Sequence, residues 1–167
     1  MHLVGHSYGG TLALRLALHY PSLVASVAVY EPMPIRVLTG DDARSRAAAE
    51  VVGLAANVRR ELNGDAQRER MRTVHAHILA QRDSAPALAE YGRITAPVLF
   101  LCGQATRLSS RRIAEMIAFR MPLVDMQFLP GMGHLGPITH AWAVSERIAV
   151  FMRRQVALSF LRMGEAA

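Results

Sequence analysis

Two short stretches hold residue types able to do covalent chemistry together. Gly5-His6-Ser7-Tyr8-Gly9 has the pattern G-x-S-x-G, followed by a further glycine, Gly10. Gly131-Met132-Gly133-His134 places a histidine in a glycine-rich segment late in the chain. A serine hydroxyl becomes a nucleophile when a base takes its proton, and histidine is the usual base near neutral pH. The small residues around Ser7 permit a sharp strand-to-helix turn that lifts the hydroxyl above a sheet. The backbone N–H of Tyr8 then lies at a helix N-terminus, where the dipole favours a developing negative charge. The bland alternatives are a helix-capping serine and a loop histidine with no role.

For these segments to meet, the chain must bring them to one edge of a sheet. Met1 to Gly5 read as the end of a strand, and Gly9 to Tyr20 as a helix that is apolar almost all round and ends at Pro21. Val24 to Tyr30 is a short valine-rich run, expected as a buried strand. Asp41 or Asp42 opens an expected helix to about Leu62, Asp65 to Gln81 a second, and Ser84 to Tyr91 a short third. Pro97 to Cys102 and Val124 to Leu129 read as two more strands. Between them lies a helix capped by Ser109, with Ile113, Met116, Ile117 and Met121 inward. Gly131 to Pro137 reads as a loop, His140 as the start of the last helix, and Ala141 to about Leu161 as its body. Strands alternating with helices specify an α/β fold: three layers, with a parallel sheet of about four strands and a helical insertion, which the resemblance given below makes a partial sheet with a small helical lid. One domain is expected, in three parts: residues 1–31 (the serine turn, helix and strand), 32–95 (the helical insertion) and 96–167 (the last strands, histidine loop and final helix). Ligands of such sheets bind at the carboxyl ends of the strands, which singles out Ser7, Glu31, Thr106 and His134.

Composition narrows the partners. The 167 residues are 51% hydrophobic, enough for a core, with a formal charge of +6 carried by 19 basic residues. All 19 are arginine, scattered apart from pairs such as Arg59-Arg60, Arg111-Arg112 and Arg153-Arg154. No basic run is interleaved with aromatics, so solvated helix faces are expected and no nucleic-acid partner. The lone Cys102 excludes an internal disulfide, and no zinc-ligand spacing occurs. His75 and His77 are two apart and face different sides of a helix, which argues against a metal site. No apolar stretch reaches the ~20 residues of a membrane span, and no leader pattern opens the chain, so a cytoplasmic location is the default. Methionines such as Met116, Met121 and Met126 read as core filler.

Gly5-His6-Ser7-Tyr8-Gly9-Gly10, Tyr30-Glu31-Pro32, Ala96-Pro97-Val98-Leu99 and Pro130-Gly131-Met132-Gly133-His134 together resemble α/β hydrolases of the esterase, carbon–carbon hydrolase and haloperoxidase-like group. The resemblance runs over essentially the whole chain, and residues 41–92 resemble the family's variable lid. It implies hydrolysis of an ester or similar acyl substrate through an acyl-enzyme, with Ser7 as nucleophile, His134 as base and Tyr8 N–H as an oxyanion donor. It implies a small-molecule substrate, no cofactor and no metal. His6, Met132 and Leu135 are pocket candidates by proximity, His6 also as a packing residue at the pocket edge.

The sequence departs from the family in two places. The usual aspartate, three residues after the glycine ending the third strand seen here, is replaced by Thr106, and no carboxylate occurs from Gly103 to Ala114. Some members place the acid after the strand that follows the serine helix, which makes Glu31 the candidate. The alternatives are Glu31 as a polar strand end or pocket residue, and Thr106 as an uncharged acceptor for the imidazole. Secondly, the family sheet has about eight strands, and this chain begins in the fifth. The expectation is a fragment of a longer hydrolase with reduced activity, self-associating through its exposed first strand. The rival readings are a non-catalytic relative and a binder of small apolar ligands.

Overall fold

The computed structural model describes residues 1–38 and 85–164. The two long expected lid helices, and His75 and His77 with them, lie outside the described residues. Among the described residues four strands form one sheet: β1 (His2–His6), β2 (Ser26–Tyr30), β3 (Val98–Gly103) and β4 (Val124–Leu129). Their order is β1-β2-β3-β4, and every neighbouring pair is parallel. The expected α/β fold and parallel sheet are therefore present. The α-helices among the described residues are α1 (Tyr8–His19), α2 (Leu108–Ala118), the short α3 (Gly136–Thr139) and α4 (Ala141–Gly164).

The layers follow from alternation along the two central strands, both buried end to end. Val27 and Val29 of β2, with Val98, Phe100 and Cys102 of β3, face a core shared with Leu14, Ala17 and Leu18 of α1 and Ile113 and Ile117 of α2. Ala28, Tyr30, Leu99 and Leu101 face the opposite side, against Val144 and Phe151 of α4. A strand buried on both faces must be apolar at consecutive positions, which is why these runs lack polar alternation. Each fully buried Leu or Val contributes about 1.5–3 kcal/mol, so this double core holds the strand ends at fixed spacing.

Several boundaries differ from the expectation. Helix α2 starts at Leu108 with Arg107 in the capping position, so Ser109 is no cap; it is buried inside the first turn. Of the expected short helix from Ser84 to Tyr91, the described residues 85–91 give no α-helix; Leu88–Arg93 forms a 3-10 helix, where the Glu90 carboxylate accepts a 2.6 Å hydrogen bond from the Ala87 N–H. The histidine loop contains α3, and His140 separates α3 from α4 rather than starting the last helix. Helix α1 is not buried on most sides: Leu12 and Leu16, four apart on one face, are exposed. At the same side of the sheet β1 is an edge strand, and Val4 is 57% exposed.

Candidate active site

The turn from β1 into α1 is made possible by closely packed backbone. A Cβ on Gly5 would lie 2.4 Å from the Gly9 carbonyl oxygen. One on Gly10 would lie 3.1 Å from the Pro32 Cβ and 3.2 Å from the Gly5 oxygen. Ser7 itself has φ 53°, and its N–H donates to the Tyr30 carbonyl at 3.0 Å. Among the described residues the other non-glycine residue with positive φ is Glu31, at 41°. Such conformations cost of order 1–3 kcal/mol each and persist where surrounding packing enforces them. Both strained residues stand immediately after a strand, at the carboxyl edge of the sheet.

Ser7 occupies the capping position of α1, yet its hydroxyl makes no capping hydrogen bond. It lies 3.1 Å from His134 Nε2. On the other side of that ring, His134 Nδ1 is 2.9 Å from Glu31 Oε2. Glu31 is fully buried and held by donors from the neighbouring strand exit. The Gly103 N–H donates to Oε1 at 2.9 Å, and the Thr106 hydroxyl to Oε2 at 2.8 Å. The Cys102 thiol also lies 3.8 Å from Oε1. Burial pushes the Glu31 carboxyl upward, but hydrogen bonds from His134, the Gly103 N–H and Thr106 outweigh it and hold the group below the ordinary glutamate range. An ionised carboxylate only accepts, so Nδ1 carries the ring proton and Nε2 presents a lone pair to the serine hydroxyl.

Thr106 thus donates to the acid and does not accept from His134. Replacing it by valine removes one of the bonds that keep Glu31 ionised. We expect Thr106→Val to cost about 1.5 kcal/mol, a typical value for a hydrogen bond to a charged group, read as a lower denaturation midpoint. Because the folded Glu31 titrates below its ordinary value, its stabilisation is present above pH ~4.3 and lost as pH falls through the lower folded value. The variant's deficit should therefore shrink in strong acid. An undiminished deficit at low pH would show that the methyl packing, and not the bond to the carboxylate, was what mattered.

The other expected site residues fall as follows. Tyr8 opens α1, beside Ser7. Leu135 is exposed. Met132, a pocket candidate, is buried and packed with Tyr30, Leu99 and Leu101. His6 Nε2 lies 2.8 Å from the His134 carbonyl oxygen, and the Tyr30 hydroxyl donates to the Gly133 carbonyl at 2.8 Å. Neither bond was foreseen; the adjacency of His6 to Ser7 was the one signal available. Cys102 is no rival nucleophile: burial, with Glu31 beside it, pushes its thiol up to about 12. Among the described residues there is no cluster of three or more metal-ligating side chains, and no helix is long and apolar enough to cross a membrane.

Comparison with known proteins agrees with this architecture. No curated protein matches the chain. Among solved structures, it is similar to an alpha/beta hydrolase enzyme from a sediment metagenome of the Mar Chica lagoon, Morocco, with TM-score 0.64 and 14% identity, over 93% of this chain and 62% of that one. It is similar to a proline iminopeptidase of Mycobacterium smegmatis, with TM-score 0.60 and 16% identity, over 95% of this chain and 66% of that one. It is also similar to an enol-lactonase of Burkholderia xenovorans LB400, with TM-score 0.57 and 19% identity, over 90% of this chain and 64% of that one. The chain therefore spans just under two thirds of the length of these three proteins, and at such identities the likeness is one of fold. The sequence model of the alpha/beta hydrolase family matches residues 2–146. With that match over most of its length, the chain belongs to the alpha/beta hydrolase family.

Proposed function

We propose that this chain carries the catalytic centre of a serine hydrolase acting on an ester or similar acyl substrate. The observation that carries the reading is the continuous relay from Ser7 Oγ through His134 to the buried Glu31, at 3.1 Å and 2.9 Å. In the first half-reaction Ser7 Oγ attacks the substrate carbonyl carbon and its proton passes to His134 Nε2. The tetrahedral oxyanion is stabilised by the Tyr8 N–H at the positive end of α1. Collapse breaks the bond to the leaving group, which takes the proton from His134, and leaves the acyl group on Ser7. In the second half-reaction His134 deprotonates a water, which attacks the acyl carbon; the acid product departs and Ser7 regains its proton. Glu31 keeps the imidazole in the required tautomer and stabilises the imidazolium.

A fluorophosphonate probe tests this directly, because covalent labelling requires an activated serine. The expected outcome is labelling at Ser7 that disappears in Ser7→Ala and His134→Ala. A folded protein that resists the probe would sink the reading.

A second reading concerns the 167-residue chain on its own, and the exposed edge strand β1 favours it. Unpaired N–H and C=O groups beside exposed Val4, with Leu12 and Leu16 exposed on α1, make a template for pairing with a second copy. The chain alone is then a dimer or larger, with turnover reduced about 100- to 1000-fold where a second oxyanion donor is lacking. Sizing chromatography should show the association, and Val4→Lys should weaken it. A clean monomer turning over at about 10 per second would contradict this reading.

A further inference from the structure

The histidine loop is tied down by side chains that the relay itself does not use. His6, the last residue of β1, and Tyr30, the last of β2, are register partners in the sheet. Their polar atoms reach consecutive carbonyls of the loop: Tyr30 Oη to Gly133 O and His6 Nε2 to His134 O, each at 2.8 Å. The preceding carbonyl, that of Met132, accepts the Ala105 N–H at 2.9 Å. The His6 ring also stands 4.8 Å from the His134 ring and meets Tyr30 edge-on at 5.8 Å. Room for the Tyr30 hydroxyl is reserved by glycine, since a Cβ on Gly136 would lie 2.2 Å from it.

We propose that His6 and Tyr30 are positioning residues, a two-point clamp on the Gly133 and His134 carbonyls that sets the distance from His134 Nε2 to Ser7 Oγ. The proposal rests on the serine-hydrolase reading. Three features support it. Gly131 and Gly133 give the loop wide backbone freedom, with Gly131 at φ 70°, and the local bond across His134, from the Gly136 N–H to the Gly133 carbonyl at 2.9 Å, ties the loop to itself and not to the Ser7 strand. His6 precedes Ser7 directly, so one strand end locates both the nucleophile and the carbonyl of the base. A carbonyl only accepts, so His6 must donate from Nε2 and Tyr30 from its phenol. Burial holds His6 below the usual histidine range and raises Tyr30, so both are neutral donors at neutral pH. A neutral ring beside His134 also avoids opposing the imidazolium that forms during reaction.

The test compares His6→Leu, which deletes the donor, with His6→Gln, whose amide nitrogen can take the place of Nε2, and with Tyr30→Phe. Fluorophosphonate labelling rates and the ¹⁵N shifts of the histidine ring nitrogens are measured on each. His6→Leu and Tyr30→Phe should each slow labelling about 10- to 100-fold, and His6→Gln should restore the rate to within about threefold of the wild type, because small misplacement of a reacting pair is costly. The double variant should lose less than the product of the two, since both hold one loop. In the wild type His6 should be the Nε2–H tautomer, and His6→Leu should shift the His134 ring signals. A role in folding alone would lower the melting temperatures without restoration by glutamine. Labelling of His6→Leu at the wild-type rate, or an Nδ1–H tautomer at His6, overturns the clamp and leaves the hydrolase reading standing. A wild type that does not label defeats that reading instead. The clamp is then decided by the ring signals, and unchanged His134 signals in His6→Leu overturn it.

Discussion

On the proposed serine mechanism, Glu31→Gln should lower turnover by about four orders of magnitude while the protein stays folded, the scale seen when a triad carboxylate becomes an amide. The reason lies in how the four donors meet the carboxylate. Oε1 accepts the Gly103 N–H, a role the amide oxygen keeps. The amide nitrogen then takes the place of Oε2, where it faces His134 Nδ1 and the Thr106 hydroxyl. Thr106 can rotate and accept, so the buried amide remains hydrogen-bonded and the site does not collapse. His134 cannot satisfy an amide N–H and keep its own proton on Nδ1. It should switch tautomer, so that Nε2 becomes a donor and the lone pair proposed to take the serine proton is lost. The measurement is the initial rate of nitrophenyl ester hydrolysis, or of fluorophosphonate labelling where turnover is slow, alongside circular dichroism. A loss below about tenfold in a folded variant would mean that Glu31 does not orient the base.

Gly5→Ala should destabilise the protein by at least ~4 kcal/mol and remove the proposed activity with it, an effect at the extreme end for one substitution. The added Cβ would meet the Gly9 carbonyl oxygen at 2.4 Å, its carbon at 2.5 Å and the Gly10 nitrogen at 2.6 Å. All three are backbone atoms of the first turn of α1, so no side chain can move aside. Relief requires α1 to swing away from β1, which breaks the packing of Leu14 and Leu18 on the sheet and displaces Ser7 from His134. Against a typical total stability of about 5–15 kcal/mol, this threatens the fold itself. Gly9→Ala is the control, because a Cβ there meets nothing within 4 Å and alanine favours a helix. A urea titration of both variants decides the matter. Equal midpoints would show that the turn tolerates a side chain at Gly5.

The sequence by itself determined what local chemistry can determine. Valine- and leucine-rich runs of five or six residues specify buried strands, because a strand covered on both faces has no place for polar alternation. The G-x-S-x-G spacing of Gly5, Ser7 and Gly9 marks a tight strand-to-helix turn, and the serine within it is legible for that reason. Strand–helix alternation carried the parallel sheet. Boundaries were less legible: Ser109 reads as a cap, but Arg107 has the extended backbone that precedes the helix, and a helix starts where φ and ψ allow, not at the nearest capping residue. Tertiary structure alone decided which groups meet. Glu31 and His134 are 103 residues apart, and His6 and His134 are 128 apart. Their contact depends on the β1-β2-β3-β4 order and on the positive-φ turn at Glu31, neither of which is written in residue types. The same holds for Met132, which adjoins the base in sequence yet packs in the core. A residue just past a strand end has no periodicity to set its direction, so its partner is chosen by the strands beside it.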